Sequence, residues 1–138
     1  MRLSIFAAAT AAALLLGSTT TATADVQRGG CGQLKARSDR ACLAAKDSRG
    51  PWVALHVERR RGHDWAWASG MISDRGRLWL EVSHDGHTKT VGMRRAPADG
   101  STGQSLLSTR SVYDGPGYRV RACGNEANGA HRACTRWH

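Results

Sequence analysis

The sequence has few of the residues from which common hydrolases build an active site. It contains only three glutamates, which are Glu58, Glu81 and Glu126. A glycosidase needs two carboxyl groups about 5 to 10 Å apart in a cleft, and no Gly-x-Ser-x-Gly motif is present for a serine hydrolase. In the run Ser83-His84-Asp85, neighbouring strand residues point to opposite faces, so Ser83 and His84 cannot pair as nucleophile and base. We therefore expect that the protein is not an enzyme.

Long apolar runs are absent outside residues 3–17. This run is shorter than the roughly 20 apolar residues that a membrane-spanning helix needs. It follows the basic Met1-Arg2 start and precedes a small-x-small site at Ala22 and Ala24, a layout typical of a secretory signal peptide. We predict that residues 1–24 are removed, that the remaining 114 of the 138 residues are secreted, and that the mature chain has no membrane segment.

The cysteines lie too far apart for a typical zinc site, in which ligand pairs are separated by about two to four residues. They are Cys31, Cys42, Cys123 and Cys134. An even number in an exported chain indicates two disulfides. Of three possible pairings we predict Cys31–Cys42 and Cys123–Cys134, because each encloses only ten residues and would contribute about 3 kcal/mol in the chain-entropy model. The first would tie residues 25–50, in which 39–46 favour one or two helical turns.

Metal ligands of other kinds are also sparse. His84 and His87 flank a predicted turn, with Asp85 between them. Two imidazoles make a weak site, since zinc is bound by three or four protein ligands. We expect two exposed polar residues there and no metal or other cofactor.

Short segments of alternating apolar and polar residues predict an all-β fold. The alternation begins at residues 53–57, and we expect the returning strand to place Trp65 and Trp67 on the same inward face. About seven strands with short turns, without a long helical period or an internal repeat, predict a small antiparallel β-sandwich over residues 51–138. Residues 94–108, rich in Gly, Ser, Pro and Ala, are predicted to form a long exposed loop.

A two-residue turn at Asp85-Gly86 sets the register of one hairpin. The predicted pairs are Leu78 with Met93, Leu80 with Val91, Glu81 with Thr90, Ser83 with Thr88, and His84 with His87. This register puts the apolar residues on one face and the polar residues on the other. Trp79 falls on the polar face, where it is either an exposed platform for a sugar or a protein, or a packed residue beneath other groups.

Residues 118–138 predict a final hairpin. Its predicted cross-strand pairs are Cys123 with Cys134, Arg121 with Arg136, and Val120 with Trp137. Because like charges directly opposite each other destabilise a sheet, something must offset Arg121 and Arg136. The alternatives are an acid such as Glu81 or Asp114, stacking on an aromatic ring, and a bound anion.

Acidic residues are few beside the basic ones. The chain has 11 Asp and Glu against 20 Lys and Arg, a formal net charge of +9 that becomes +8 without Arg2. Such a surface favours polyanions, although the arginine usage of a high-GC genome would produce the same excess. Three consecutive arginines, Arg59 to Arg61, stand at a predicted hairpin tip, where they are either solvated or in contact with an anion.

Three segments together resemble small secreted β-domain proteins of actinomycetes. They are the strand and turn LWLEVSHDG at residues 78–86, VRACG at 120–124 and ACTRW at 133–137. The resemblance covers residue 52 onward, and it differs at the turn, where the family has Gly-Gly followed by an aromatic and this chain has Gly86-His87 and Thr88. It implies an exported, disulfide-linked β-domain, of a kind sometimes found beside polysaccharide-active modules, and it implies no catalytic residues.

These observations predict a secreted, monomeric binding protein for an extracellular polymer, such as a cell-wall or other anionic glycan, or for a partner protein. The predicted binding residues are Arg119, Arg121, Arg136 and Trp79. The alternative is an inhibitor or interaction protein that acts on another secreted enzyme through residues 94–108. We do not expect nucleic-acid binding.

Overall fold

The computed structural model describes residues 27–98 and 103–138, and nearly all of its regular structure is β. The predicted signal peptide, residues 1–24, lies outside the described residues. The strands are β1 (Gln27–Gly29), β2 (Ala41–Lys46), β3 (Trp52–Arg60), β4 (His63–Ser73), β5 (Arg77–His84), β6 (His87–Arg95), β7 (Gln104–Ser108), β8 (Val112–Tyr113), β9 (Tyr118–Asn125) and β10 (Ala133–Cys134). A single 3-10 turn spans Gly32–Leu34. Within these ranges no helix has the length and apolar character needed to cross a membrane.

The strands form two antiparallel sheets that pack face to face. Sheet A has the order β1-β2-β3-β4-β7, and β8 also pairs with β4. Sheet B has the order β10-β9-β5-β6. The predicted all-β sandwich is confirmed. The strands that were not predicted are β1, β2 and β7, each of which extends sheet A.

The core lies between the two sheets and uses alternate residues of the long central strands. Its completely buried members include Val53, Leu55, Ala66, Ala68, Ile72, Leu78, Leu80, Val120 and Ala122. Small residues on β4 leave room for the larger side chains of β5. A Cβ atom at Gly70 would lie 3.1 Å from Cδ1 of Leu78, so the sheets are in close contact at this point.

Trp65 and Trp67 lie on the outer face of sheet A, and the prediction that they face the core is wrong. The turn between β3 and β4 has two residues, Arg61 and Gly62, with left-handed φ angles of 49° and 82°. A turn with an odd number of residues was needed to place the tryptophans inward, because side chains alternate along a strand. The two-residue turn brings Ala66 onto the inward face instead.

Residues 41–46 form β2 and not the predicted helical turns. β2 pairs with β3 along its whole length, with Cys42 opposite His56. The pairing satisfies the backbone groups on one edge of β3, which a helix here would leave unpaired. The predicted Cys31–Cys42 disulfide is present, with a Cα–Cα distance of 5.9 Å. It closes a second, smaller core on the outer face of sheet A, which contains Leu34, Ala44 and Ala54.

The β5–β6 hairpin follows the predicted register from its turn as far as Leu80 and Val91. Beyond this pair an extra residue in β6 shifts the register, and Gly92 has a left-handed φ of 64°. Leu78 therefore pairs with Arg94 and not with the predicted Met93. Met93 is 53% exposed, as expected for a residue displaced by a bulge on an edge strand.

Part of the segment predicted as a loop is a strand. Residues 104–108 form β7, which pairs with residues 69–73 of β4. β4 continues to Ser73, so its far end offers an unpaired edge that β7 covers. The prediction of one continuous exposed loop over residues 94–108 is therefore wrong at both ends, since residues 94 and 95 belong to β6. Residues 99–102 of the predicted loop lie outside the described residues.

Candidate functional site

The arginines predicted to bind a ligand lie on the outer face of sheet B, where an acid offsets them. Glu81 of β5 lies opposite Arg121 of β9, and its carboxylate accepts a hydrogen bond from Nε of Arg121 at 2.8 Å. The same carboxylate accepts a hydrogen bond from Arg132. One buried glutamate therefore pairs with two guanidinium groups.

The environment keeps Glu81 ionised. Burial raises its pKa, but the hydrogen bonds from Arg121 and Trp79 and the positive charges of Arg121 and Arg132 lower it. The net effect is a pKa of Glu81 below its ordinary value. At neutral pH the carboxylate is therefore a fixed negative charge and not a proton donor.

Tryptophans complete this face of sheet B. Trp79 is only 7% exposed, and the guanidinium of Arg132 lies 5.4 Å from its ring. Trp137 packs against Arg121 and Arg119, at 4.5 and 5.6 Å from ring to guanidinium. Trp79 is therefore a packed residue and not an exposed platform.

The final hairpin differs from the predicted register. The Cys123–Cys134 pair and its disulfide are present as predicted, but Val120 exchanges backbone hydrogen bonds with His138 and not with the predicted Trp137. An extra residue after Thr135 makes a bulge, so Arg136 and Trp137 share the place opposite Arg121. Arg136 is exposed and forms no ion pair with an acid in the described ranges. Arg119 and Arg136 are the predicted binding residues that stay exposed.

A second cationic surface lies on the other side of the molecule, at the tip of the β3–β4 hairpin. We call this surface the basic groove, and its volume is about 690 Å³. It is lined by Arg60, Arg61, His63, Trp65, Thr109, Arg110 and Ser111. The groove thus combines three arginines, a histidine, a tryptophan and two hydroxyl groups.

The first wall of the basic groove is the hairpin tip. Arg61 occupies the first position of the two-residue turn with a φ of 49°, a left-handed conformation that a type I′ turn requires at both central positions. The guanidinium of Arg59 braces the turn by donating to the carbonyl of Gly62 at 3.0 Å. The local backbone therefore holds Arg61 at the solvent-facing end of sheet A.

The second wall is the short connection between β7 and β8. Thr109 anchors it to β4, because its amide donates to the Ala68 carbonyl at 2.9 Å and its Oγ1 accepts from the Ala68 amide at 2.9 Å. The same hydroxyl donates to the carbonyl of Arg110 at 3.0 Å. The backbone of Arg110 is therefore fixed to the sheet, while its side chain is exposed.

The charges in the basic groove are only partly offset. Arg60 forms an ion pair with Glu58. Arg61 and Arg110 form no ion pair with any acidic residue in the described part of the chain. A smaller cavity of about 440 Å³ shares Arg110 with the groove and extends it to Arg94. The positive surface is therefore extended and runs from Arg61 past Arg110 to Arg94.

The sequence predicts that residues 59–61 are either solvated or in contact with an anion, and it gives no such indication for Arg110. Arg110 stands alone between two short segments, and it reaches the groove only because β7 and β8 both pair with β4. The one local signal is a basic residue in a loop between strands. That signal does not indicate which other loop Arg110 lies next to in the fold.

A Ser, His and Asp set converges elsewhere, on the outer face of sheet A, and the sequence did not predict it. The carboxylate of Asp39 accepts from Nδ1 of His56 at 2.8 Å, and the hydroxyl of Ser69 donates to Nε2 at 2.7 Å. His56 is fully buried, Ser69 is 4% exposed, and Trp67 stacks on the imidazole with ring centroids 3.8 Å apart. A hydrolytic triad needs room for a substrate at the serine, and this serine is covered.

The Asp39, His56 and Ser69 set instead fastens a loop. Asp39 belongs to the loop before β2, while His56 and Ser69 belong to β3 and β4. The three side chains satisfy one another's hydrogen bonds in a buried place, where an unpaired polar group would be costly. The absence of enzymatic activity stays a prediction.

The potential metal ligands of the described residues are also engaged in other bonds. Two clusters each bring three potential metal ligands together. The first consists of Asp39, Cys42 and His56, and the second consists of Glu81, Cys123 and Cys134. Every cysteine in these clusters is in a disulfide, so none of them supplies a thiolate, the form that binds metals. Nδ1 of His84 lies 3.2 Å from Oδ2 of its neighbour Asp85. Among the described residues, His87 belongs to neither of these clusters.

Comparison with known proteins gives no relative. No protein-family model matches the chain, and no curated protein or solved structure matches it significantly. The resemblance to secreted actinomycete β-domains therefore stays an expectation, and the geometry of the basic groove is the basis for a function.

Proposed function

We propose that this protein is a secreted, non-enzymatic binding protein for an anionic extracellular polymer, and that the polymer binds in the basic groove. One observation carries the proposal. Arg61 and Arg110 stand on opposite walls of one groove, and neither is paired with an acid among the described residues. Cationic groups that converge on a groove without counter-charges attract anions.

The contrast with sheet B supports this choice of surface. Arg121 and Arg132 share the carboxylate of Glu81 and stack on Trp137 and Trp79, so their charge is already partly offset. An external anion would have to compete with an internal carboxylate there. Arg119 and Arg136 remain as peripheral charges, which contribute to long-range attraction more than to a defined site.

The predicted extracellular location of the protein agrees with this function. Two disulfides fit an oxidising compartment outside the cytoplasm, and the predicted signal peptide would deliver the chain there. A net charge of +9 over the whole chain also favours association with acidic polymers.

The alternative, an inhibitor of a secreted enzyme that acts through residues 94–108, has less support. Residues 104–108 belong to β7 and pair with β4, which shortens the loop that such an inhibitor would present. Leu106, at 63% exposed, is the residue on this segment that a partner protein would contact.

Charge reversal at the groove tests the proposal. We expect the double variant Arg61→Glu/Arg110→Glu to elute from a heparin column at clearly lower salt than the wild type, because two attractive contacts become repulsive. The matched control is Arg75→Glu/Arg49→Glu, which changes two exposed arginines in the β4–β5 and β2–β3 connections. Arg75 also has a left-handed φ, 58°, and it lies beyond the opposite end of β4, which at 11 residues is roughly 35 Å long.

Both double variants change the net charge by the same amount, so the column separates a site from an overall charge effect. If the control variant loses as much retention as the groove variant, the groove is not the binding site. If neither variant changes retention, binding through these arginines is ruled out.

A further inference from the structure

We infer that the polymer in the basic groove is an acidic polysaccharide, and that a carboxylated sugar ring packs on Trp65. This inference rests on the proposed function and adds the chemical class of the ligand. Two observations support it: the contacts that each tryptophan ring makes, and the polar and charged groups that line the groove beside Trp65.

Trp65 differs from the other tryptophans in what covers its ring. Trp67 is stacked on His56, Trp79 lies under Arg132, and Trp52 and Trp137 have basic groups over their rings. The Trp65 ring makes an edge contact with Tyr113, with ring centroids 6.0 Å apart and ring planes at 83°. Among the described tryptophans, Trp65 is the one with neither a stacked ring nor a basic group over its face, and it lines the groove.

The strand neighbours of Trp65 hold it in this position. It lies opposite Glu58 of β3 on one side and opposite Tyr113 of β8 on the other. A central strand position fixes the Cα–Cβ direction, and the edge contact with Tyr113 restricts the rotation of the indole. A rigid aromatic surface loses little conformational entropy on binding.

The other groups in the groove match a carboxylated sugar. The apolar C–H face of a pyranose packs on an indole ring, which offers a large apolar surface. Guanidinium groups such as those of Arg61 and Arg110 bind carboxylates with two parallel hydrogen bonds. The hydroxyl of Ser111 both donates and accepts, as the hydroxyl groups of a sugar require.

The size of the groove fits a ligand of more than one ring. Its volume of about 690 Å³ lies within the range of about 300 to 1,000 Å³ found for small-molecule sites. The adjoining cavity leads from Arg110 to Arg94, so a linear polymer with a charge on each residue meets successive arginines.

A nucleic acid fits the groove less well than a polysaccharide. Proteins that bind single-stranded nucleic acids stack successive bases on several aromatic side chains, whereas Trp65 and the imidazole of His63 are the aromatic groups that line this groove. A polymer that carries charge alone, such as polyphosphate, would bind the arginines and make no use of the indole.

Calorimetric titration with two polymers tests the inference. The probes are oligogalacturonate, a linear carboxylated glycan, and linear polyphosphate, which has charge and no sugar. We expect Trp65→Ala to weaken oligogalacturonate binding at least tenfold and to leave polyphosphate binding within twofold. Trp65→Phe keeps an aromatic ring and should retain most of the oligogalacturonate affinity. Trp137→Ala, on the outer face of sheet B, is the matched control and should change neither affinity.

The outcomes separate the inference from the function on which it rests. If Trp65→Ala weakens binding of both polymers equally, or if Trp65→Phe loses as much affinity as Trp65→Ala, the sugar platform is refuted while anion binding stands. Tight wild-type binding of polyphosphate with no binding of oligogalacturonate also refutes it. If the wild type binds neither polymer, the proposed function itself fails.

Discussion

Replacement of Glu81 by glutamine should destabilise the protein, because Glu81 is the charge that holds the outer face of sheet B together. Its carboxylate pairs with Arg121 and Arg132 and accepts a hydrogen bond from Nε1 of Trp79 at 3.2 Å. The Glu81→Gln variant keeps the size of the side chain and removes its charge. Two guanidinium groups would then lie close together without a counter-ion.

The exposure of each partner sets the size of the effect. The Arg121 side chain is 29% exposed, and a hydrogen bond to a charged group contributes about 1.5 to 3 kcal/mol. Arg132 is 49% exposed, so solvent screening limits its share to about 0 to 1 kcal/mol. Because glutamine still accepts one hydrogen bond, we expect a loss of about 2 kcal/mol. In a domain of this size the loss corresponds to a Tm lower by roughly 8 °C.

The pH dependence identifies the charge as the cause. The pKa of Glu81 is lower in the folded protein than its ordinary value, so the unfolded chain binds the proton more tightly than the folded one does. The stabilisation is therefore present above the unfolded-state pKa of about 4.3 and is lost as pH falls through the lower folded-state pKa. We expect the difference between wild type and Glu81→Gln to be constant near neutral pH and to shrink below about pH 4.

Urea unfolding followed by tryptophan fluorescence measures this difference. Glu126→Gln is the control, since Glu126 forms no ion pair within the described residues and its substitution should change stability by less than about 0.5 kcal/mol. A Glu81→Gln variant as stable as the wild type at pH 7 would refute the reasoning, and so would a loss of stability that persists unchanged at pH 3.

Two further predictions concern the attachment of the N-terminal strands. Replacement of both Cys31 and Cys42 by serine should lower the free energy of unfolding by about 3 kcal/mol, since the disulfide closes a short loop; an equal stability of both forms under non-reducing conditions would contradict this. Ser69→Ala should cost about 1 to 2 kcal/mol, because it leaves Nε2 of the buried His56 unpaired, whereas Ser108→Ala on the neighbouring strand should be neutral in the same unfolding assay.

The parts of the fold that follow from short-range chemistry were predictable. The Asp85-Gly86 turn determines the β5–β6 register next to it, since a two-residue turn permits one pairing. The cysteine spacing indicated both disulfides for a similar reason, because each pair encloses a short loop. The shift beyond Leu80 arises from a bulge in β6, for which the sequence has only Gly92 as a local signal.

The differences arise from one turn with an uncommon backbone conformation and from strand pairings that depend on other parts of the chain. Arg61 adopts a left-handed conformation that is uncommon for arginine, so the sequence does not indicate the two-residue β3–β4 turn that places Trp65 and Trp67 on the outer face. β2 is a strand because the edge of β3 accepts it, although its own residues also suit a helical turn. Tertiary context overrides weak local preference in this way.

The candidate site was predictable only in part for the same reason. The charge of residues 59–61 and their place at a hairpin tip were evident from the sequence. The partnership with Arg110 depends on two strands that pair with β4 from more than 30 residues away. The sequence indicated Glu81 as one group that could offset Arg121, and the ion pair between them engages one of the predicted binding residues.

The most direct test of the basic groove is a titration of the 15N-labelled protein with oligogalacturonate, followed in a 1H–15N correlation spectrum. The indole N–H of each tryptophan reports on its own part of the surface. The groove predicts large shifts for the Trp65 indole and for the amides of Arg61, Arg110 and Ser111, with little change at Trp79 and Trp137. Shifts centred on Trp137 and Arg119, with none at Trp65, would contradict it and would return the binding site to the outer face of sheet B.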